Sequence, residues 1–128
     1  MNTNTATDFT AVAERYIATW NETDPAARRA LVEAAYTSDA VYIDPLVEAA
    51  GHDAIDATLA AVQAQFAGLV FTLGGPVDGH HNLARFQWHL GPDGDGEPVV
   101  IGFDVIVIAE DGRIREVGGF LDKVPAGA

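Results

Sequence analysis

Three polar residues occupy positions where the surrounding sequence pattern favours apolar side chains, and their carboxyl and phenol groups are suited to proton transfer. Asp104 lies within an otherwise apolar run, residues 99–109, which is typical of a strand covered on both faces. Tyr16 lies on the apolar stripe of the first predicted helix, and Asp44 ends a short predicted strand just before Pro45. An ionised carboxylate without a partner is costly to bury, so Asp104 must be protonated, hydrogen-bonded or directed into a pocket.

Each of these states gives Asp104 an unusual pKa, and unusual pKa values are concentrated at catalytic and binding sites. A buried Tyr16 hydroxyl also needs a hydrogen-bond partner, and a protonated aspartate can be both donor and partner. The alternative is structural: Asp104 would be a core residue tied to backbone donors. The residue types alone leave both interpretations open.

Helical spacing of apolar residues predicts three helices, over residues 8–21, from residue 25 to about 37, and from residue 53 onward. A short strand, residues 40–44, separates the second helix from the third. The rest of the chain predicts four strands in a meander, separated by turns rich in Gly, Asp and Pro. Helices gathered on one face of an antiparallel sheet make an α+β domain. A sheet that curls around the helices leaves a cone-shaped fold with a pocket near the helix ends.

The composition restricts the classes of partner. Nineteen acidic residues against seven basic ones give a formal net charge of −12, which opposes binding to nucleic acid and to an anionic membrane surface. No apolar stretch approaches the roughly 20 residues needed to span a bilayer, and residues 1–7 are interpreted as a frayed tail, not a signal peptide. We expect a single domain over residues 1–128, and the lack of cysteine is compatible with a cytoplasmic location.

The histidines and glycines give no sign of a metal or a cofactor, and we expect neither. His80 and His81 are adjacent, so in a strand their side chains point to opposite faces and cannot chelate one ion together. We interpret them as turn or rim residues. The sequence shows no metal-ligand spacing and no phosphate-binding glycine loop. Ser38 is the only serine and has no adjacent histidine, which argues against a serine nucleophile.

Several sequence blocks together resemble a known superfamily. The blocks are Glu-Arg-Tyr-Ile-Ala at residues 14–18, Ala-Val-Tyr-Ile-Asp-Pro at 40–45, residues 51–55, and Phe-Asp at 103–104 with the turn at 111–113. Over residues 11–122 the chain is similar to the nuclear transport factor 2-like superfamily, which includes SnoaL-type polyketide cyclases and ketosteroid isomerases. The resemblance implies an α+β roll, a cone in which a curved antiparallel sheet wraps around three N-terminal helices.

The ketosteroid isomerases within that superfamily imply a role for each of the three polar residues. In those enzymes a tyrosine of the first helix and a protonated aspartate of a later strand form an oxyanion hole. An aspartate before a proline is their proton-shuttling base. By resemblance, Tyr16 and Asp104 would stabilise an enolate oxygen and Asp44 would be the base. Asp44 is then expected to be ionised and Asp104 neutral.

The resemblance implies a small hydrophobic ligand with a carbonyl or phenolic oxygen. Isomerase-like proton transfer is the leading interpretation; SnoaL-like cyclisation, other acid–base catalysis and non-catalytic ligand binding stay open. An epoxide hydrolase is less favoured, because the strand arginine of such enzymes is replaced by Gly102. By analogy with the family, we expect a homodimer formed through the sheet face that carries Arg85, Gln87 and His89. Six aromatic side chains are expected to line the pocket: Trp20, Tyr42, Phe66, Phe86, Trp88 and Phe120.

Overall fold

The computed structural model describes residues 7–93 and 96–125, so the predicted tail lies outside the described residues except for residue 7. Three helices are present in this part of the chain: α1 (Phe9–Asn21), α2 (Pro25–Ala35) and α3 (Gly51–Gln65). The same part of the chain contains seven strands: β1 (Tyr36–Ile43), β2 (Glu48–Ala50), β3 (Val70–Leu73), β4 (Asp78–His80), β5 (Leu83–Gly91), β6 (Val100–Ile108) and β7 (Ile114–Lys123).

The strands form one curved sheet that does not close into a barrel. The strand order is β2-β1-β7-β6-β5-β3, and β4 pairs with β5 outside this path. All neighbouring strands run antiparallel except β1 and β7, which are parallel. The antiparallel sheet expected from the sequence is therefore a mixed sheet, because the early strand β1 joins the edge of the meander beside its last strand. The cone-shaped α+β architecture is confirmed.

Helix α1 places its apolar stripe against the sheet. Asp8 caps the helix by accepting a hydrogen bond from the Ala11 amide over 3.0 Å. At the other end, the Asn21 side chain binds both backbone groups of Phe71 on β3, over 2.8 and 2.9 Å. These contacts fix the position of the helix along the sheet. Its buried residues follow the helical period: Val12, Ala13, Tyr16, Ile17, Thr19 and Trp20.

A polar network connects the three helices. The buried Arg28 of α2 donates to Asp56 over 2.9 Å and to Gln63 over 3.0 Å, and both partners lie on α3. Gln63 in turn donates to the backbone carbonyl of Trp20 over 3.0 Å. This network holds the end of α1, and with it Trp20, against α3. None of the helices in the described ranges is long and apolar enough to cross a membrane.

Strand boundaries differ from the sequence prediction where turns are short. β1 begins at Tyr36, directly after the last residue of α2, so no loop separates the two elements. The first segment of the predicted meander covers residues 69–80, with a break or bulge expected near residues 74–76, and it is divided there into β3 and β4. His81 adopts a positive φ of 51° in the turn between β4 and β5, as expected for a turn residue, whereas His80 is the exposed last residue of β4.

Strand β6 carries Asp104 towards the helices. Its burial alternates strictly, with the even-numbered residues buried and the odd-numbered ones partly exposed. The sequence predicted a strand covered on both faces. Instead, only the inner face packs against the helices, and Phe103, Val105 and Val107 form part of an outer apolar face. The inner face fixes the direction of Asp104, because side chains alternate along a strand.

Candidate functional site

Tyr16 and Asp104 meet in the core of the cone. The Tyr16 hydroxyl and Asp104 Oδ2 are 2.6 Å apart and hydrogen-bonded. Tyr16 is 1% exposed and Asp104 2% exposed, so water does not compete for this contact. Helix α1 supplies the tyrosine from its buried stripe, and the alternation of β6 supplies the aspartate. The sequence predicted that the two side chains need partners, and the structure pairs them with each other.

Burial shifts the pKa of both groups. Loss of solvent raises the pKa of Asp104 from 3.8 to about 6, the Tyr16 hydrogen bond opposes this shift, and the nearby Asp44 charge adds to it. Burial, followed by the charge of Asp104, raises the pKa of Tyr16 well above its usual value of 10.0. Near neutral pH the tyrosine therefore keeps its proton, and Asp104 titrates within two pH units of neutrality.

Asp44 is held by three neutral donors at the end of β1. Its Oδ1 accepts hydrogen bonds from the amides of Leu46 and Val47, over 2.8 and 2.9 Å. Its Oδ2 accepts a hydrogen bond from the Tyr42 hydroxyl over 2.6 Å. The turn that follows β1 therefore fixes one oxygen, and a tyrosine on the same strand face orients the other. Burial raises the pKa of Tyr42, and the hydrogen bond to Asp44 raises it further.

Gly119 separates the two carboxylates. Asp104 on β6 pairs with Gly119 on β7, and Ile43, the residue before Asp44, pairs with Gly118. A Cβ added to Gly119 would lie 2.9 Å from Asp104 Oδ1 and 3.4 Å from Asp44 Cβ. The two acids therefore approach each other across a position that has no side chain. The sheet register brings all three predicted catalytic residues into one region.

An open cavity of about 140 Å³ lies beside this group. Its polar wall is formed by Tyr16, Tyr42 and Asp44, whereas Asp104 is absent from the lining and lies behind Tyr16. No Lys, Arg or His side chain of the described residues lines the cavity. Most of the lining is apolar: Ile17, Trp20, Leu46, Val62, Phe66, Phe71, Trp88, Leu90, Val100, Leu121, Val124 and Pro125, with Gln65.

Four of the six aromatic residues expected in the pocket line it, namely Trp20, Tyr42, Phe66 and Trp88. Phe86 is 1% exposed but does not line the cavity. It packs behind the Tyr16 ring, with ring centroids 5.6 Å apart. The expectation for Phe120 is not met, since its side chain is 60% exposed on the outer face.

A bulge in β7 explains the orientation of Phe120. Val107 pairs with Glu116 and Ile108 pairs with Ile114, so one extra residue lies in β7 between these pairs. The bulge shifts the alternation by one position, because two consecutive residues then face outward. Simple alternation from the buried Ile114 would turn Phe120 inward. After the bulge Phe120 faces outward, and Leu121 lines the cavity instead. Phe71 is a cavity residue that the sequence analysis missed, although its alternating strand pattern was a usable signal.

The position that carries an arginine in epoxide hydrolases of this fold is filled by a tryptophan ring. A Cβ on Gly102 would lie 2.0 Å from Trp88 Cζ2, so the indole covers this glycine. Arg85 lies on the outer face and pairs with Asp78 over 3.1 Å, so it does not replace the missing guanidinium. Among the described residues, no group of three His, Asp or Glu side chains is arranged to hold a metal ion.

Comparisons with known proteins show the family and the fold. A family model described as SnoaL-like domain matches residues 13–117. A search of the curated proteins found none that matches this chain. The structure is similar to that of a proposed isomerase of the SnoaL-like family from Agrobacterium tumefaciens, with 41% identity and a TM-score of 0.85. The match covers 91% of this chain and 99% of the other.

Two more distant structures share the fold. One is a proposed SnoaL-like polyketide cyclase from Jannaschia, with 19% identity, a TM-score of 0.68, and coverage of 94% of this chain and 92% of the other. The other is a protein with a ketosteroid isomerase-like fold from Catenulispora acidiphila, in complex with trimethylamine. It shows 17% identity, a TM-score of 0.68, and coverage of 84% of this chain and 82% of the other. The chain belongs to the family of SnoaL-like domains.

Proposed function

We propose that the protein catalyses cofactor-free proton transfer on a small hydrophobic carbonyl compound, in the manner of an isomerase. The observation that carries this proposal is the approach of Asp44 to the Tyr16–Asp104 pair across Gly119, at the polar wall of an apolar cavity. The name of the Agrobacterium structure, a proposed isomerase, supports the same reaction class.

In this proposal Asp44 is the general base. Its carboxylate takes a proton from the carbon next to the carbonyl group, and the electrons of the C–H bond form an enolate. Asp44 then returns the proton to another carbon of the same conjugated system, so the product is an isomer and no atom is gained or lost. The hydrogen bonds from Tyr42 and from the turn hold the carboxylate in one orientation between the two steps.

Tyr16 is the donor that stabilises the enolate oxygen, and Asp104 acts through it. When Asp104 holds a proton, it donates to the Tyr16 oxygen, and the Tyr16 hydrogen is then free to donate to the ligand. When Asp104 is ionised, it competes with the ligand for that hydrogen. Because the pKa of Asp104 is raised to about 6, this arrangement favours ligand binding on the acidic side of neutrality.

A cofactor-free cyclase and a non-catalytic binding protein are the alternatives. The Jannaschia structure, a proposed polyketide cyclase, favours the first. Two observations favour the second: three donors already occupy the Asp44 oxygens, and the Catenulispora structure of the same fold is in complex with trimethylamine. Incubation with a β,γ-unsaturated ketosteroid, followed by ultraviolet absorbance of the conjugated product, separates isomerase from binder. Tight binding of a phenol without turnover supports the binder.

We also propose that the protein is a homodimer that pairs through the outer face of the sheet. Phe120 is 60% exposed there, next to the partly exposed Phe103 on β6. Exposed apolar patches on a sheet face are typical of contacts between subunits. Arg85, Gln87 and His89 of β5 border this patch and supply polar groups at its edge.

A further inference from the structure

One wall of the cavity is built from four aromatic rings that contact one another in series. The ring centroids of Tyr42 and Trp20 are 5.5 Å apart, those of Trp20 and Phe71 are 5.3 Å apart, and those of Phe71 and Trp88 are 5.3 Å apart. The planes of each pair are tilted by 45° to 58°, and all four residues line the cavity. The wall is therefore aromatic along its length, and aromatic rings attract a cation that sits over their faces.

A carboxylate that has no cationic partner lies on the same cavity. The three groups that donate to Asp44 are two backbone amides and the Tyr42 hydroxyl, all of them neutral. No ion pair of the described residues includes Asp44, and no described cation lines the cavity. A second acid, Asp104, lies on the other side of Gly119. The polar side of the cavity therefore carries a carboxylate with no cation beside it, and the neighbouring wall is aromatic.

We infer that the cavity accepts a small organic cation, an alkylated ammonium group seated on the aromatic wall with Asp44 as its counter-ion. Aromatic rings around a quaternary ammonium group, with a nearby carboxylate, form a strong recognition site for such a group. The inference rests on the proposal that this cavity binds a ligand. It goes beyond that proposal by assigning the ligand a positive charge, and it predicts that anionic ligands are rejected.

Three probes of matched shape test the charge preference. Choline has a trimethylammonium group, 3,3-dimethylbutan-1-ol replaces its nitrogen by carbon, and 3,3-dimethylbutanoate carries a negative charge. Trp20 and Trp88 are the only two tryptophans of the chain and both line the cavity, so intrinsic fluorescence reports binding directly. We expect choline to bind at least about tenfold more tightly than the alcohol, and the carboxylate to bind most weakly.

Two variants separate the cavity from the general negative charge of the chain. Asp44→Asn keeps a side chain of the same shape. We expect it to weaken the binding of choline by at least about tenfold and to change the binding of the alcohol little. Glu14→Gln removes one negative charge from an exposed position of α1 and is expected to leave choline binding unchanged. Titrations at about 0.15 M salt screen attraction between distant charges.

Each result decides the inference. Equal or tighter binding of the alcohol overturns the charge preference and leaves ligand binding by the cavity intact. Equal loss of choline affinity in both variants also overturns it, because the attraction is then due to net charge. If a phenol binds but none of the three probes does, the cation site is rejected while the proposed function survives. If the phenol also fails to bind, both are rejected.

Discussion

Tyr16 and Asp104 are hydrogen-bonded over 2.6 Å although 88 residues separate them in the sequence. The contact joins the first helix to the centre of the sheet in a region from which solvent is excluded. The buried phenol donates a hydrogen bond to the buried acid, and the second acid, Asp44, lies across Gly119. The expected behaviour of the protein follows from this arrangement.

The stability of the protein should depend on the protonation of Asp104. Folded Asp104 keeps its proton up to about pH 6, whereas the usual pKa is 3.8, so folding takes up a proton between these values. The free energy of unfolding should therefore fall as pH rises from about 4 to about 6, by about 3 kcal/mol from this group. Urea denaturation across this range measures the effect. Asp104→Asn should abolish this part of the pH dependence; an identical pH dependence in the variant would contradict the assignment.

Tyr16→Phe should remove the donor to the ligand oxygen. Loss of one such donor costs about 2.7–4 kcal/mol in the barrier, which corresponds to a kcat lower by about 100- to 1,000-fold. Tyr36→Phe is the matched control, because Tyr36 is as fully buried as Tyr16 but does not line the cavity. Its kcat should change by less than about threefold. Comparable losses in both variants, measured by steady-state kinetics, would show that Tyr16 has no specific role.

Gly119→Ala should disrupt the two carboxylates at once. The new methyl group would meet Asp104 Oδ1 at 2.9 Å and Asp44 Cβ at 3.4 Å, so the strands must shift or the acids must turn away. We expect a destabilisation of about 1–3 kcal/mol and loss of ligand binding. Gly118→Ala is the control on the adjacent residue, because no atom lies within 4 Å of its added Cβ. Equal phenol affinity in both variants would remove Gly119 from the site.

Phe120→Glu should separate the proposed dimer. The substitution places a carboxylate on an exposed apolar face. In a two-fold contact this carboxylate lies close to the same group of the partner subunit, and the two like charges repel each other. Light scattering should give twice the chain mass of 13.5 kDa for the original protein and the single mass for the variant. Leu46→Glu is the control, because Leu46 is 84% exposed at the cavity and not on the outer face. A monomeric mass for the unaltered protein at micromolar concentration would reject the dimer.

Periodicity was sufficient to predict the elements that carry the three polar residues. The apolar stripe of α1 predicts that Tyr16 is buried. The apolar run of β6 predicts a buried strand, but it does not show which face carries Asp104, because both faces are apolar in the sequence. The polar character of Tyr16 and Asp104 against these patterns marked them as unusual, and the structure pairs them.

Features that depend on distant pairing could not be predicted in the same way. The parallel contact between β1 and β7 joins segments about 75 residues apart, and nothing in either segment specifies its partner. The bulge in β7 reverses the direction of Phe120, and one extra residue in a strand leaves no clear signal in sequence. The role of Gly119 depends on that register, so it too becomes visible only in the fold.

Turnover of a β,γ-unsaturated ketosteroid by the unaltered protein and by Asp44→Asn tests the proposed chemistry most directly. The variant removes the base that takes the proton and keeps the size of a side chain that lines the cavity. We predict conjugation, measured by ultraviolet absorbance, with a kcat lower by about 100- to 10,000-fold in the variant. Equal turnover by both proteins, or no turnover by the unaltered protein, would contradict the account.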